Sequence, residues 1–231
     1  MKLALTRDMS KPRQVLAGKT RLLTRRVIER RYFMVPTKAV NQLIEYLLAL
    51  GCKRYGIKLI AVYVASNHYH ILIVDVEGRY PAFLQWFNNV FARALNVYRG
   101  RHGQVWDEKP PSVPELLDEQ AVLDKACYVL GNPVKDGLVS HGRQWPGVRS
   151  SPQACLQPPK VVERPKFFFG KKTKLPDKAE LVFHVPPEYE HLGPGHDSRS
   201  DPLVGPGLLT HVARWFTFVG TCPPSVNRGR P

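Results

Sequence analysis

Hydrophobic and polar positions follow two different periods along residues 20–150. Apolar residues recur every three or four positions in 37–54 and in 83–97, which predicts two amphipathic helices. Between them, two short apolar runs flank the turn signal Ser66-Asn67, which predicts a hairpin of two strands. The predicted elements are a strand within 22–34, a helix over 37–54, strands over 57–64 and 68–76, a helix over 83–97, a short strand over 104–106 and a helix over 121–130.

This order of elements is β-α-β-β-α-β, followed by one further helix. A split β-α-β sheet with helices on one face is the architecture that such an order favours. We therefore predict an α+β fold of the ferredoxin-like kind for residues 20–150.

The C-terminal third of the chain differs in composition from the rest. Thirteen of the 21 prolines lie in residues 151–231, which is typical of a linker or tail and predicts a partly disordered extension. Two strand-like runs, 166–169 and 180–185, predict a hairpin over 166–185 that packs against the main domain. The predicted organisation is a basic arm over 1–19, a domain over 20–150 and a Pro-rich extension over 151–231.

Charge indicates the class of partner. The 231-residue chain has 34 Lys and Arg against 19 Asp and Glu, a net charge of +15 and a pI near 9.9. Such a basic protein is expected to bind a polyanion, and nucleic acid is the first polyanion to consider. Ten of the first 31 residues are Lys or Arg, so this stretch either binds phosphates or is simply solvated.

Several classes of protein are excluded by what the sequence lacks. No run of about 18 apolar residues exists, so no transmembrane helix and no membrane partner are expected. The N-terminus has no continuous apolar stretch, so we expect no secretory signal. The four cysteines form no CxxC pair, which argues against a disulfide scaffold and a cysteine zinc site. The sequence thus predicts a soluble, intracellular protein.

Two histidines open the second strand of the predicted hairpin. Side chains two residues apart on a strand point to the same face, so His68 and His70 should project together like two ligands of one cation. The apolar run over 71–74 would hold this pair rigidly. The alternative is a pair of ordinary histidines on a half-exposed sheet face, since so short a motif is common.

Tyr128 and Asn132 lie four residues apart on the last predicted helix and share one of its faces. Pro133 disfavours helical geometry in the residue before it, so the helix is expected to end at Asn132 and leave its amide oxygen free to bind a ligand. The alternative is a core tyrosine followed by an asparagine that merely stops the helix.

The two histidines, the tyrosine and the asparagine fit one reaction. A tyrosine hydroxyl can attack a phosphodiester and form a covalent phosphotyrosine. A divalent cation held by two imidazoles and an amide oxygen would polarise the scissile phosphate. An oxygen ligand from asparagine favours Mg²⁺ or Mn²⁺ over a structural zinc ion.

The same residues carry a resemblance to a known family. The segments SNHYHIL (66–72) and YVLGNPVKDGLV (128–139) resemble those of the HUH single-tyrosine transposases, specifically the repeat-associated tyrosine transposases. The resemblance covers residues 20–150 and implies the ferredoxin-like fold predicted above.

The resemblance also implies a role for each of these residues. His68 and His70 would be the metal-binding pair, with Tyr69 between them on the opposite face of the sheet. Tyr128 would be the nucleophile and Asn132 a third ligand of Mg²⁺ or Mn²⁺. Members of this family cut and rejoin single-stranded DNA through a 5′-phosphotyrosine and recognise hairpins of repetitive extragenic palindromes. The implied protein is a cytoplasmic, nucleoid-associated DNA endonuclease of bacteria, with no small-molecule cofactor.

Basic and aromatic residues supply the predicted contacts with DNA. Lys and Arg side chains bind phosphates, and an aromatic ring can stack on an unpaired base. The candidates are Arg25, Arg26, Arg30, Arg31, Lys53 and Arg54 for phosphates and Trp106 for stacking.

Two other functions remain open at this point. One is a hairpin-binding protein that keeps the scaffold and cleaves little, and the other is a protein that binds single-stranded RNA. The complete set of two histidines, tyrosine and asparagine favours the enzyme, because a binding protein needs none of them. No aromatic RNP motif supports the RNA-binding protein. The sequence gives no oligomeric state.

Overall fold

Eight regular helices and strands build the described part of the chain. The computed structural model describes residues 14–170, 173–187 and 189, so 1–13 of the predicted arm and 190–231 of the extension lie outside the described residues. The elements are β1 (Lys19–Arg26), α1 (Lys38–Tyr55), β2 (Ile57–Val64), β3 (His68–Asp75), α2 (Tyr80–Arg99), α3 (Glu119–Lys135), β4 (Lys160–Glu163) and β5 (Lys178–Leu181).

Strand β3 lies at the centre of a three-stranded antiparallel sheet of order β1-β3-β2. His68, at the start of β3, lies opposite Arg26, whereas Asp75, at its other end, lies opposite Ile57. Because β1 and β2 both run antiparallel to β3, they are parallel to each other, and α1 connects them. This is the split β-α-β unit of the predicted ferredoxin-like fold.

An irregular segment takes the place of the predicted fourth strand. Residues 106–115 run antiparallel along the outer edge of β1 but form no continuous ladder, because Pro110, Pro111 and Pro114 lack the N–H group that a ladder needs. The prediction of a short strand over 104–106 is therefore wrong, although this segment covers the outer edge of β1. The isolated bridges are Val27–Trp106, Thr24–Ser112 and Arg21–Glu115.

The two faces of the sheet carry different helices. Side chains alternate along each strand, so Leu23 packs in the core under α1 and α2, whereas Leu22 packs in the core under α3. The first two helices thus occupy one face, as predicted, and α3 lies on the opposite face. Tyr69 belongs to the face of α1 and α2, which places His68 and His70 on the face of α3.

Local capping explains where the helices begin and end. Thr37 Oγ1 accepts the N–H of Val40 at 3.2 Å and caps α1. Gly56 ends this helix with φ of +63°, a left-handed conformation that glycine adopts without steric cost. At the start of α2, the buried carboxylate of Asp75 accepts the N–H groups of Arg79 and Tyr80 at 2.8 and 3.1 Å.

The extension forms a hairpin, but from other residues than predicted. Strands β4 and β5 pair with each other, whereas residues 166–169 form a turn in their connection. The predicted hairpin over 166–185 is therefore wrong in its bounds. The Phe169 ring lies 5.6 Å from that of Tyr46 on α1, and the Tyr46 hydroxyl donates to the Pro176 carbonyl at 2.5 Å. Residues 166–169, which the sequence predicts as a strand, thus form a turn whose aromatic side chains pack on α1.

The outer edge of β2 is also covered by the chain. The N–H of Val64 donates to the carbonyl of Val148, and the N–H of Ser150 donates to the carbonyl of Val62, both at 2.9 Å. This pairing places Arg149 opposite Tyr63. None of the helices in the described residues has the length and apolar character needed to cross a membrane.

Candidate active site

The two histidines of β3 project together, as predicted. Their ring centroids lie 4.9 Å apart on the face of α3. His70 is buried, with 5% of its surface exposed, and its cross-strand neighbours are Thr24 on β1 and Tyr63 on β2. The sheet therefore fixes the pair from both sides.

Each histidine is oriented by a hydrogen bond at Nδ1. Nδ1 of His70 lies 2.8 Å from Oγ1 of Thr24, and Nδ1 of His68 lies 2.7 Å from Oδ1 of Asn67. The amide nitrogen of Asn67 donates to the Arg30 carbonyl at 3.3 Å, so its oxygen faces His68 as an acceptor. When both Nδ1 atoms carry the proton, both Nε2 lone pairs are left for a ligand.

Electrostatics favours the neutral form of both rings. Burial, together with the smaller effects of the charges on His68 and Arg26, lowers the pKa of His70 to about 3. Burial also lowers the pKa of His68, an effect that Asp136 opposes and Arg26 strengthens. Neutral imidazoles are the form that binds a metal ion.

Tyr128 meets this pair from α3. Its hydroxyl oxygen lies 3.3 Å from Nε2 of His70, and the two ring centroids lie 5.0 Å apart. The ammonium groups of Lys125 and Lys135 lie 5.8 and 5.0 Å from the tyrosine ring. The half-buried tyrosine thus lies beside a neutral imidazole and near two ammonium groups of its own helix.

Asn132 does not end the helix, contrary to the prediction. Helix α3 continues through Pro133 to Lys135, and the N–H of Asp136 donates to the Asn132 carbonyl at 2.9 Å. Pro133 removes one helical N–H donor, but the N–H groups of Gly137 and Leu138 donate to the carbonyls of Val134 and Pro133 and close the last turn. Asn132 is 2% exposed, one turn after Tyr128 on the same side of the helix. Within the described residues, no hydrogen bond joins its amide to either histidine, and its role as a ligand stays a prediction.

The histidine pair does not belong to a larger cluster of metal-ligating side chains among the described residues. Across 14–170, 173–187 and 189, no three or more His, Cys, Asp or Glu side chains are grouped so that they could hold a metal ion. A cation at this site would therefore depend on the two imidazoles and on an oxygen donor of another kind, such as the amide of Asn132.

Tyr63 is part of the site but was not found from the sequence. Its ring centroid lies 6.2 Å from that of His68, and its buried hydroxyl has no hydrogen-bond partner among the described residues. Burial raises the pKa of Tyr63, and the nearby Asp136 and Tyr128 raise it further. The register of β2 against β3 brings this tyrosine beside the histidines, and a single sequence contains no signal for that register.

Thr24 and Asn67 are the other two residues that sequence reasoning missed. The sequence pattern marks Asn67 only as part of a turn and Thr24 only as a residue of the first strand. A threonine facing the second histidine across two strands can be found once the pairing of β1 with β3 is known.

Of the residues predicted to contact DNA, two arginines lie near the histidine pair and a third holds the irregular segment in place. Arg26 and Arg30 line a cavity that also includes His68. Arg25 instead donates to the carbonyls of Asp107, at 2.8 Å, and Lys109, and so holds the irregular segment against β1.

Other predicted contacts lie away from the histidines or are already engaged. The guanidinium of Arg31 pairs with Glu29 at 2.7 Å. Lys53 and Arg54 end α1 at the opposite end of the sheet. The stacking role predicted for Trp106 is wrong, because this ring is only 8% exposed and its N–H donates to the Asn88 carbonyl at 2.9 Å.

Comparison of structures identifies the fold. Neither a protein-family profile nor a curated protein matches the chain. A candidate transposase from Deinococcus radiodurans R1 is 18% identical, with a TM-score of 0.36 over 52% of this chain and 95% of that one. A REP-associated tyrosine transposase bound to a REP hairpin is 15% identical, with a TM-score of 0.53 over 74% of this chain and 97% of that one. The chain therefore has the fold of that tyrosine transposase.

Proposed function

We propose that the chain is a metal-dependent endonuclease and strand transferase of the HUH tyrosine-transposase family that acts on single-stranded DNA at or near hairpins. The observation that carries the proposal is the 3.3 Å approach of the Tyr128 hydroxyl to Nε2 of His70. The fold shared with a transposase bound to a REP hairpin supports hairpin DNA as the partner. The proposed place of action is the bacterial nucleoid.

The proposed reaction is a transesterification at one phosphodiester. The Tyr128 oxygen attacks the phosphorus atom, the new O–P bond forms, and the bond from phosphorus to the 3′ oxygen of the preceding nucleotide breaks. The hydroxyl proton leaves to solvent and the 3′ oxygen takes one up, so the products are a 5′-phosphotyrosine and a free 3′-hydroxyl. Attack by that or another 3′-hydroxyl reverses the step and joins the strands.

Residues of this chain would hold a divalent cation beside the tyrosine. His68 and His70 offer Nε2 atoms whose rings are fixed at Nδ1, and Asn132 offers a neutral oxygen on the helix of the nucleophile. Mg²⁺ or Mn²⁺ bound there would polarise the scissile phosphate as a Lewis acid. Thr24 and Asn67 orient the two rings, which is the part that outer partners of metal-bound histidines commonly play.

Positive charge near Tyr128 supports a phosphate substrate. Lys125 lies one turn before the tyrosine and Lys135 two turns after it, and both ammonium groups lie within 6 Å of its ring. Together with a net charge of +15, they favour a polyanionic strand over a neutral substrate.

A hairpin-binding protein with little cleavage activity is the second candidate. The observation that favours it is that, among the described residues, no carboxylate joins the two histidines in a cluster that could hold a metal ion. Carboxylates are the usual protein ligands of Mg²⁺. This protein would bind the same DNA but form no covalent adduct.

Adduct formation in the presence and absence of metal distinguishes the two candidates. Labelled single-stranded DNA with a hairpin is incubated with the protein and Mn²⁺ or Mg²⁺, then separated on a denaturing gel. The enzyme leaves label on a species that carries the 26.2 kDa protein, loses it in excess chelator and regains it with Mn²⁺. DNA binding without any adduct would favour the second candidate.

A further inference from the structure

Tyr63 lies beside His70 on the sheet face that carries the candidate active site. It is the cross-strand neighbour of His70 on β2, and Arg149 lies opposite it on the outer side. The tyrosine is fully buried, yet its hydroxyl has no hydrogen-bond partner among the described residues. A buried hydroxyl without a partner costs free energy, so its presence at this position calls for an explanation.

The described side chains on the outer side of Tyr63 accept no hydrogen bond from it. Arg149 and Trp145 carry only N–H donors, and the indole N–H of Trp145 already donates to the Val64 carbonyl at 3.0 Å. The charge of Asp136 contributes to the raised pKa of Tyr63, but no hydrogen bond joins the two side chains. The proton of the hydroxyl is therefore unused on this side of the ring.

Tyr128 approaches the same imidazole from the helix. Its hydroxyl lies 3.3 Å from Nε2 of His70, and its electrostatic effect also contributes to the raised pKa of Tyr63. Both tyrosines pack in the same apolar cluster between the sheet and α3. Two tyrosine hydroxyls thus lie around one histidine, and only that of Tyr128 has a partner among the described residues.

The nitrogen that Tyr128 faces is also the one that a cation would need. Nδ1 of His70 lies 2.8 Å from Oγ1 of Thr24, so Nε2 is the nitrogen left for a metal ion. A neutral imidazole has one nitrogen with a free lone pair, and a hydroxyl proton and a cation cannot both use it. Binding of a cation to His70 would therefore release the Tyr128 hydroxyl from its present partner.

We propose that Tyr63 is a positioning residue for the nucleophile: when Nε2 of His70 binds a cation, the Tyr63 hydroxyl donates a hydrogen bond to the Tyr128 oxygen. A hydroxyl oxygen has two lone pairs, so one accepts this hydrogen bond and the other stays free to attack phosphorus. The inference rests on the proposed function and adds a residue to its site. It also explains why the sheet keeps a buried hydroxyl that has no partner in the metal-free protein.

A double-mutant cycle on the affinity for Mn²⁺ tests the inference. Mn²⁺ is titrated into the full-length wild type, Tyr63→Phe, Tyr128→Phe and the variant with both changes. Because the proposed hydrogen bond exists only in the metal-bound protein, Tyr63→Phe should lower the affinity for Mn²⁺ about three- to tenfold. In the Tyr128→Phe background the same change should have no effect, because the accepting oxygen is already absent.

Tyr46 provides a matched control for the loss of a buried hydroxyl. It is also fully buried, but it packs on the face of α1 and α2, and its hydroxyl donates to the Pro176 carbonyl. Tyr46→Phe should lower the thermal midpoint and leave the affinity for Mn²⁺ unchanged. Tyr63→Phe should do the reverse, with a lower affinity for Mn²⁺ and a midpoint of the metal-free protein that does not fall.

The two proposals fail in different ways. If Tyr63→Phe binds Mn²⁺ like the wild type, or lowers the affinity equally with and without the Tyr128 hydroxyl, Tyr63 does not position the nucleophile, whatever the adduct assay gives. If the cycle shows the coupling but the wild type with Mn²⁺ forms no adduct with hairpin DNA, the pairing of the two tyrosines is retained and the endonuclease activity is overturned. A wild type that binds no Mn²⁺ would overturn both.

Discussion

Thr24 Oγ1, on β1, lies 2.8 Å from Nδ1 of His70 on the central strand β3. Through this contact, the hydroxyl holds the orientation of the imidazole, with Nε2 facing Tyr128. The geometry at the tyrosine therefore depends on a residue of β1 that acts through His70.

Replacing Thr24 should weaken metal binding without disturbing the fold. Thr24→Val keeps the shape of the side chain but removes the acceptor, so we expect the affinity for Mn²⁺ to fall by about 10- to 100-fold. Thr24→Ser retains the hydroxyl and serves as the control. Titration with Mn²⁺ measures both variants, and a valine variant with wild-type affinity would show that the hydroxyl has no orienting role.

The hydroxyl of Tyr63 should contribute nothing to the stability of the metal-free protein. The hydroxyl is buried and has no partner among the described residues, so Tyr63→Phe removes a desolvated polar group and keeps the ring. We expect the free energy of unfolding to stay constant or to rise by about 1 kcal/mol. Denaturant unfolding measures it, and a loss of more than about 1 kcal/mol would reveal a hydrogen bond that the hydroxyl forms in solution.

Asn132 should affect metal affinity more than helix stability. Because α3 continues to Lys135, Asn132→Ala does not remove a helix stop, and we expect lower Mn²⁺ affinity and slower cleavage. Asn132→Asp places a carboxylate at a position that is 2% exposed, so it should be destabilising without metal and strongly stabilised by Mn²⁺. Thermal midpoints with and without Mn²⁺ test both variants, and midpoints that rise equally in all three proteins would contradict a ligand role.

The stability of the metal-free protein should fall in mild acid because of His70. Its pKa is lowered to about 3 in the folded state, so between about pH 6.5 and pH 3 the unfolded chain binds a proton that the folded chain does not. The stability is complete above pH 6.5 and is lost as the pH falls toward 3, by about 2 kcal/mol at pH 5.

Unfolding of the His70→Gln variant isolates this effect. Glutamine does not titrate, so the free energy of unfolding should change less between pH 7 and pH 5 than in the wild type. His102→Gln, at an exposed position, controls for the loss of an imidazole elsewhere. Equal pH dependence in the His70 variant and the wild type would contradict the buried, neutral state of His70.

Periodicity predicted much of the fold because each pattern depends on local geometry. The alternation along β3 places His68 and His70 together and Tyr69 on the opposite face, which is a property of any extended strand. Trp106 shows the limit of this reasoning, since whether an aromatic ring is core or surface depends on tertiary packing.

The rest of the site depends on strand register and on tertiary contacts. Thr24 and Tyr63 reach His70 only because β1 and β2 pair with β3 in one particular register. The predicted end of α3 is wrong because the sequence shows Pro133 but not the hydrogen bonds after it, in which the N–H groups of Asp136 and Leu138 close the last turn on the carbonyls of Asn132 and Pro133.

Mass spectrometry of the DNA adduct formed by the wild type and Tyr128→Phe tests the central claim most directly. The phenylalanine variant keeps the ring beside His70 but lacks the oxygen that would attack phosphorus. With Mn²⁺ and single-stranded hairpin DNA, we predict a nucleotide bound to the peptide that contains Tyr128 in the wild type. For the variant we predict no adduct and nearly unchanged DNA binding. An adduct formed by the variant at the wild-type rate, or one located on another residue, would contradict the claim that Tyr128 is the nucleophile.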